Sequence, residues 1–319
     1  MCTHAGSVPK RVIATYQKVV ALHRWPRIKM LLNILATFLL LGSATAATCN
    51  GHSDLCSRKY SNVTQIGAHD SAFVGILPTD NQFLSVTDQL NGGIRYLQTQ
   101  SHLKDGVIQL CHTKCELKDA GPLVDYLTTI KTWMDSNPNE VVTVLLTNGD
   151  GVPVSQFGAD MTTSGLASYA FSPGKQLAIE DWPTLQQLID AKTRLVMFMD
   201  FGADTATVPY ILDEFAYYFE TAFDVTDNNF PSCDLDRPMG SDGTGLMYIV
   251  NHFLDLDIFG VLIPATIELP RTNAATGDGS VGAQADLCTA KWGRRPNVVL
   301  VDFFETGDVF KAQDTLNGL

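Results

Sequence analysis

The sequence predicts an α/β fold, a single irregular barrel of the TIM-type (β/α)8 class. Short, nearly continuous apolar runs alternate with amphipathic segments, as expected for buried parallel strands and the helices that cover them. Polar residues follow several apolar runs, and the Gly-rich phosphate turn of open doubly wound sheets does not follow the first run. Because we find no internal repeat or clear linker, residues 47–319 are predicted to form one domain.

The first half of this domain contains four predicted strands and a helix. Thr64–Ala68, Gly92–Ser101 and Val107–Leu110 are short strand-like runs. From about Ala120 to Asp135, apolar residues recur at helical spacing. Val141–Thr147 is then almost continuously apolar, which is typical of a strand buried on both faces.

The second half repeats this alternation. The predicted strands are Arg194–Asp200, Gly245–His252 and Val298–Phe304. The predicted helices are Pro183–Ala191, Pro209–Phe219, Ala283–Trp292 and Val309–Leu316, with a Gly- and Ala-rich loop over Thr272–Gly282.

The N-terminus predicts secretion. Basic residues precede the apolar run Met30–Leu41, and Ala44–Ala46 has the small-x-small form of a signal-peptidase site. We therefore predict a signal peptide over residues 1–46, although residues 1–29 are long for its basic region. A membrane anchor is the alternative, but the apolar run is short for a span and Asn33 interrupts it.

The charge of the chain makes nucleic acid an unexpected partner. The 319 residues contain 22 Lys and Arg against 34 Asp and Glu, a net charge of -12. Residues 1–46 hold six of these bases and no acid, so the remainder has 16 bases against 34 acids, a net charge of -18. Clustered Lys and Arg are needed to neutralise nucleic-acid phosphates or to bind anionic membranes tightly.

The cysteines agree with an oxidising compartment. Six remain after the predicted signal peptide, and an even set in a secreted chain indicates disulfides. Six cysteines allow many pairings, of which proximity in sequence favours Cys49–Cys56, Cys111–Cys115 and Cys233–Cys288. Zinc is not expected, because no second Cys pair lies at zinc-finger spacing. Asn62 begins an Asn-x-Thr sequon and is a predicted glycosylation site.

Two histidines at strand ends form a candidate acid/base pair. His69 follows the first strand and His112 the third, so parallel strands would direct both imidazoles to one site. The pKa of histidine lies near working pH, which suits both proton acceptance and proton donation.

Four further strand-end residues are candidate substrate ligands. Asp200 and Asp302 either bind hydroxyl groups of the substrate or orient a histidine. Asn251 and His252 either contact phosphate or a polyol, or form a hydrogen-bonded pair that supports the site.

Several motifs together resemble the X region of phosphatidylinositol-specific phospholipase C, most closely the secreted fungal PLC-like phosphodiesterases. The resemblance extends over about Cys49–Gly318. It rests on Ile66–Ser71, Gly93–Leu97, Leu110–His112, Asn137–Val142 and Val250–Phe253. It implies an irregular TIM barrel that cleaves phosphodiesters, with His69 as the base and His112 as the acid. Asp70 resembles the carboxylate that orients the acid histidine in bacterial members.

The sequence departs from this family between the two histidines. Calcium-dependent relatives have Glu-x-Asp, and bacterial metal-free members have Asp-x-Arg, where this chain has Gln98 and Gln100. Alternation along a strand places both amides toward the site, where they are candidate substrate ligands, and Arg95 on the other face, where a structural role is expected. We therefore expect no cofactor, although two glutamine carbonyls could still bind calcium weakly.

The sequence thus predicts a secreted phosphoric diester hydrolase acting on a phospholipid such as phosphatidylinositol. The expected partners are a phospholipid or an inositol phosphate, with transient contact to a membrane surface. Gln98 and Gln100 leave open a catalytically weak barrel that binds inositol phosphate, glycan or lipid head groups. A metal-dependent phosphodiesterase of the glycerophosphodiester or sphingomyelinase D type is the other alternative.

Overall fold

The computed structural model describes residues 48–319, which form a mixed α/β fold. The strands are β1 (Gln65–Ala68), β2 (Tyr96–Lys104), β3 (Val107–Cys111), β4 (Asp119–Pro122), β5 (Val142–Asn148), β6 (Leu195–Met199), β7 (Ile211–Asp213), β8 (Tyr218–Thr221), β9 (Leu235–Arg237), β10 (Met247–Asn251), β11 (Asp255–Ile258), β12 (Val261–Pro264) and β13 (Val298–Val301). The helices are α1 (Val86–Gly92), α2 (Leu123–Ser136), α3 (Val154–Thr163), α4 (Leu185–Asp190), α5 (Leu269–Thr272), α6 (Val281–Trp292) and α7 (Val309–Asn317).

Eight parallel strands form a curled sheet in the order β7-β6-β5-β2-β1-β13-β10-β8. Strand β9 extends this sheet antiparallel to β8. Within the described residues, β7 and β8 do not pair with each other. The sheet therefore resembles a TIM barrel that is open between these two strands. The predicted α/β fold is confirmed, whereas the irregular (β/α)8 barrel is present as a TIM-barrel-like sheet whose closure is not observed among the described strands.

Both faces of the sheet are buried, which explains the continuous apolar runs. In β5, Val142, Val144 and Leu146 pack in the layer that contains α2 and α3. Leu145, on the opposite face, packs inside the curl with Phe198. Parallel strands covered on both sides need apolar residues at nearly every position.

The predicted helix over Pro209–Phe219 is wrong. The segment instead contains β7, a 3-10 turn over Glu214–Ala216 and the start of β8. Ile211, Phe215 and Phe219 are spaced four apart and imitate a helical stripe. Pairing of β7 with β6 and of β8 with β10 overrides this local pattern, because both strands are buried in the sheet.

Three disulfides join the cysteine pairs that proximity in sequence favours. The Cα–Cα distances are 5.0 Å for Cys49–Cys56, 4.7 Å for Cys111–Cys115 and 5.2 Å for Cys233–Cys288. The predicted signal peptide lies outside the described residues. Within residues 48–319, no helix is long and apolar enough to cross a membrane.

Candidate active site

His69 is held at the end of β1 by contacts with the last strand. Its Nδ1 lies 2.8 Å from Asp302 Oδ1, and Asn81 Nδ2 donates to both oxygens of the same carboxylate at 3.1 and 3.2 Å. Phe253 stacks on the ring at a centroid distance of 3.7 Å. Because Asp302 accepts from Nδ1–H, the neutral imidazole presents the lone pair of Nε2 to the cavity.

Asp70 lies between the two imidazoles. Its Oδ2 is 3.6 Å from His69 Nε2 and 3.4 Å from His112 Nε2, and its side chain is fully buried. The residue after each histidine, Asp70 (φ 45°) and Thr113 (φ 59°), has left-handed backbone that is strained for a non-glycine residue. The structure therefore brings His69, His112 and Asp70 together, as the sequence predicts.

Both glutamines of β2 face the same cavity but make different contacts. Gln98 Oε1 accepts from the Asp70 backbone N–H at 2.8 Å. Gln100 Nε2 donates to Asp70 Oδ2 at 2.7 Å, and Gln100 Oε1 accepts from the Thr113 N–H at 2.9 Å. The β2 amides thus tie together the two loops that carry the histidines.

The two carboxylates beside His69 control its protonation. Burial opposes the charged ring, but Asp70 and Asp302 outweigh that effect and raise the pKa of His69 to about 9. Burial also raises the pKa of Asp302, and the adjacent His69 opposes this rise. The free protein therefore holds His69 mainly as an imidazolium at neutral pH.

The histidines line a cavity of about 510 Å³ that is rich in acidic residues. Its lining residues include Asp200, Glu214, Glu220, Asp224, Arg237, Asn251 and Asp255. Burial raises the pKa of Asp200 to about 6, despite hydrogen bonds from two backbone N–H groups. Burial, reinforced by Asp302, raises the pKa of Asp255 to about 6. The wall is thus rich in hydrogen-bond acceptors.

Arg237 is the one Lys or Arg among the described residues that line this cavity. It forms an ion pair with Glu220, and its guanidinium lies 4.6 Å from the centroid of the Phe223 ring. Burial opposes its charge, but Glu220 outweighs this and raises the pKa of Arg237. The guanidinium is therefore a fixed cation in the lining of the cavity.

His252 and Asn251, two of the predicted substrate ligands, form hydrogen bonds with protein partners. His252 is fully buried, with Nδ1 bonded to Gln284 and Nε2 2.8 Å from Thr272 O, so a substrate-contacting role for it is wrong. Asn251 lines the cavity, but its amide donates to Glu220 and to Thr221 O.

Asp302 orients His69, the second of its two expected roles. Arg95 pairs with Glu140 at 2.7 Å and donates to two backbone carbonyls, outside the cavity, in the structural role expected for it.

Sequence reasoning missed Asn81, Phe253, Glu220 and Arg237 as parts of the site. Asn81 lies in a loop, and Arg237 is on the short strand β9, where no periodic pattern marks it. Phe253 follows a predicted strand end, which was the available signal. A second groove of about 470 Å³ is lined partly by residues that precede β1 and β13, and it contains none of the predicted catalytic residues.

Comparison with known proteins agrees with this geometry. The family model described as "PI-PLC X 1" matches residues 55–317. The "PI-PLC X domain-containing protein 1" of Arthroderma benhamiae is 51% identical over 305 residues, covering 91% of this chain and 100% of that protein. The chain belongs to the PI-PLC X domain family.

Other similar proteins and structures extend this result. An "Uncharacterized secreted protein" of Arthroderma benhamiae is 46% identical over 271 residues, covering 82% of this chain and 61% of that protein. A phosphatidylinositol-specific phospholipase C of Staphylococcus aureus has a TM-score of 0.55 at 14% identity, covering 82% of this chain and 94% of the other. The enzyme of that name from Listeria monocytogenes has a TM-score of 0.51 at 13% identity, covering 83% and 95%. These bacterial structures share the fold.

Proposed function

We propose that this chain cleaves a phosphodiester bond of a phospholipid such as phosphatidylinositol, with His69 as general base and His112 as general acid. The position of Asp70 Oδ2 between the two Nε2 atoms supports this proposal above all. Both imidazoles face one cavity, one of them with its tautomer fixed by Asp302.

The proposed reaction moves two protons. A head-group hydroxyl oxygen attacks phosphorus while His69 Nε2 accepts its proton. The bond from phosphorus to the glycerol oxygen breaks while His112 Nε2 donates a proton to that oxygen. Asp70 stabilises whichever imidazole is charged, because it lies within 3.6 Å of both Nε2 atoms.

The acidic residues and the arginine that line the cavity support a polyol head group. Asp200, Glu220 and Arg237 present carboxylates and a guanidinium, which accept from and donate to hydroxyl groups. Substrate binding by Asp200 and Asn251 remains part of this proposal. The surplus of carboxylates in the wall also favours the second candidate, a barrel that binds a hydroxyl-rich head group without turnover.

We also propose contact with a membrane through the β11–β12 hairpin. Leu256 pairs with Ile263 and Ile258 pairs with Val261, so one face of the hairpin is entirely apolar. Phe259 at the turn is 103% exposed.

The other face of this hairpin contributes Asp255, Leu262 and Pro264 to the cavity. An exposed apolar face beside a catalytic cavity favours a lipid surface as the source of substrate.

Secretion and glycosylation are proposed on separate grounds. Three disulfides suit an extracellular compartment, and one relative bears the name of a secreted protein. Asn62 is exposed on a 3-10 turn, where a glycan could be attached.

Phosphorus NMR of phosphatidylinositol vesicles incubated with the secreted protein tests the proposed activity. We expect an inositol phosphate product with the wild type and with His52→Ala, an exposed histidine outside the cavity. His69→Ala and His112→Ala should each lose most of this turnover. Turnover that EDTA abolishes would indicate the metal-dependent alternative. No turnover by folded wild type, together with head-group binding, would indicate the binding barrel.

A further inference from the structure

Gln98 and Gln100 are a pair of neutral side chains in the wall of the cavity, and their hydrogen bonds differ. Both side chains face the cavity, and both contact Asp70, but they do so through opposite ends of the amide group. The direction of each amide follows from its partner, because a backbone N–H requires an oxygen and a carboxylate requires a donor.

Gln100 has both ends of its amide engaged by protein. Its Nε2 donates to Asp70 Oδ2, and its Oε1 accepts from Thr113, the residue after His112. A carboxylate at this position could not donate to Asp70 and would add a second negative charge 2.7 Å away. Gln100 therefore holds the Asp70 carboxylate and the His112 loop in register, including the strained backbone at Thr113.

Gln98 has one end of its amide unused. Its Oε1 accepts from the Asp70 N–H, so its Nε2 is the donor that remains. Within residues 48–319, no protein acceptor forms a hydrogen bond with Gln98 Nε2, although the side chain is only 7% exposed. Two N–H groups fixed at the cavity wall, next to the residue that lies between the imidazoles, form a preorganised donor.

We propose that the two amides have separate functions: Gln98 Nε2 donates to a nonbridging oxygen of a bound phosphate group, and Gln100 is a positioning residue. The turnover part of this proposal rests on the proposed function. The neutral donor stabilises negative charge on the phosphate group. Only the contact of Gln100 with Asp70 requires an amide, because the Asp70 carboxylate accepts from Gln100 Nε2, whereas Gln98 accepts from the Asp70 backbone N–H.

Gln98→Glu tests the donor while keeping the acceptor for the Asp70 N–H. Gln156→Glu is the matched control, since it makes the same charge change on the exposed surface of α3. Isothermal titration with inorganic phosphate should show binding at least about tenfold weaker in Gln98→Glu and unchanged in the control. Turnover of phosphatidylinositol should fall about 10²-fold in kcat. Equal phosphate binding and turnover in the two variants, or no phosphate binding by the wild type, would overturn the donor role.

Two further variants complete the test. Gln98→Met keeps the length of the side chain but has no hydrogen-bond donor. It should show the same loss of phosphate binding and turnover, and it replaces Gln98→Glu if that variant does not fold. Gln100→Glu should lower kcat and move the pH–rate profile to higher pH, because added negative charge near the imidazoles raises their pKa. An unmoved profile contradicts the positioning role. The wild type could bind phosphate in a Gln98-dependent way and yet show no turnover. That result would reject the proposed enzymatic function and support the phosphate site.

Discussion

At the scale of single residues, His69 combines two properties that conflict at neutral pH. Its geometry suits a general base, with Nδ1 fixed by Asp302 and Nε2 facing the cavity. Its pKa of about 9, which reflects Asp70 and Asp302 prevailing over burial, leaves the ring mainly protonated at pH 7. If His69 is the general base, as proposed, the fraction of neutral His69 limits turnover at neutral pH.

This conflict predicts the pH dependence of turnover. Rates should rise from pH 7 to about 9, because the base must lose its proton before it can accept one from the substrate. Asp302→Asn removes one carboxylate that raises the pKa, so the rising limb should move to lower pH while the maximal rate falls. Initial rates across this range, at saturating substrate, provide the measurement. A rising limb that stays in place in Asp302→Asn would contradict the assignment of His69 as the base.

The sequence allowed the convergence of His69, His112 and Asp70 on one cavity to be predicted, but not the contacts of the residues around them. His69 and His112 were predictable because both follow apolar strands, which parallel pairing brings to one end of the sheet. The roles of Gln98 and Gln100 depend on which end of each amide contacts Asp70, and that follows from loop conformation. Arg237 reaches the cavity from β9, whose antiparallel position no local pattern indicates.

At the scale of elements, six of the eight parallel strands of the sheet were predicted, and β7 and β8 were not. Buried parallel strands carry a nearly unbroken apolar signal, whereas Pro209–Phe219 has helical spacing and forms strands. The β11–β12 hairpin was not predicted, because most of its apolar residues are exposed and do not mark a buried strand. Its Phe259-Gly260 turn, with φ values of 55° and 84°, allows the tight reversal and places Phe259 at the tip.

The exposed tip predicts how the protein binds vesicles. Phe259→Asp should weaken binding to phosphatidylcholine vesicles containing phosphatidylinositol by about tenfold or more, because a buried Phe contributes roughly 1.5–3 kcal/mol. Met239→Asp is the control, since Met239 is 93% exposed and lies in the loop between β9 and β10, outside the hairpin. Vesicle co-sedimentation measures the effect. Equal binding by the two variants would exclude the hairpin as the contact surface.

At the scale of the whole molecule, disulfides reinforce a sheet that does not close. Cys233 and Cys288 are 55 residues apart and connect the loop before β9 to α6. The pair lies on the side of the open seam that includes β8 and β9. Covalent restraint of the unfolded chain is greatest for such long loops.

Removal of this disulfide should lower stability without changing the cavity. The double variant Cys233→Ser, Cys288→Ser should lose about 2–4 kcal/mol of unfolding free energy, measured by urea denaturation. The short pair Cys49–Cys56, seven residues apart, provides the comparison, and its removal should cost less. Equal losses from the two double variants would show that local packing, rather than loop length, dominates.

Because β1 pairs with β13, the site is completed only late in translation. His69 and its partner Asp302 are 233 residues apart, which ribosomes cover in about 10 to 50 s at roughly 5–20 residues per second. Throughout that interval, the nascent chain contains the imidazole but not the carboxylate that fixes its tautomer. The proposed base is therefore completed only when one of the last segments to be translated docks beside the first strand, and a chain that stalls before Asp302 lacks an oriented base.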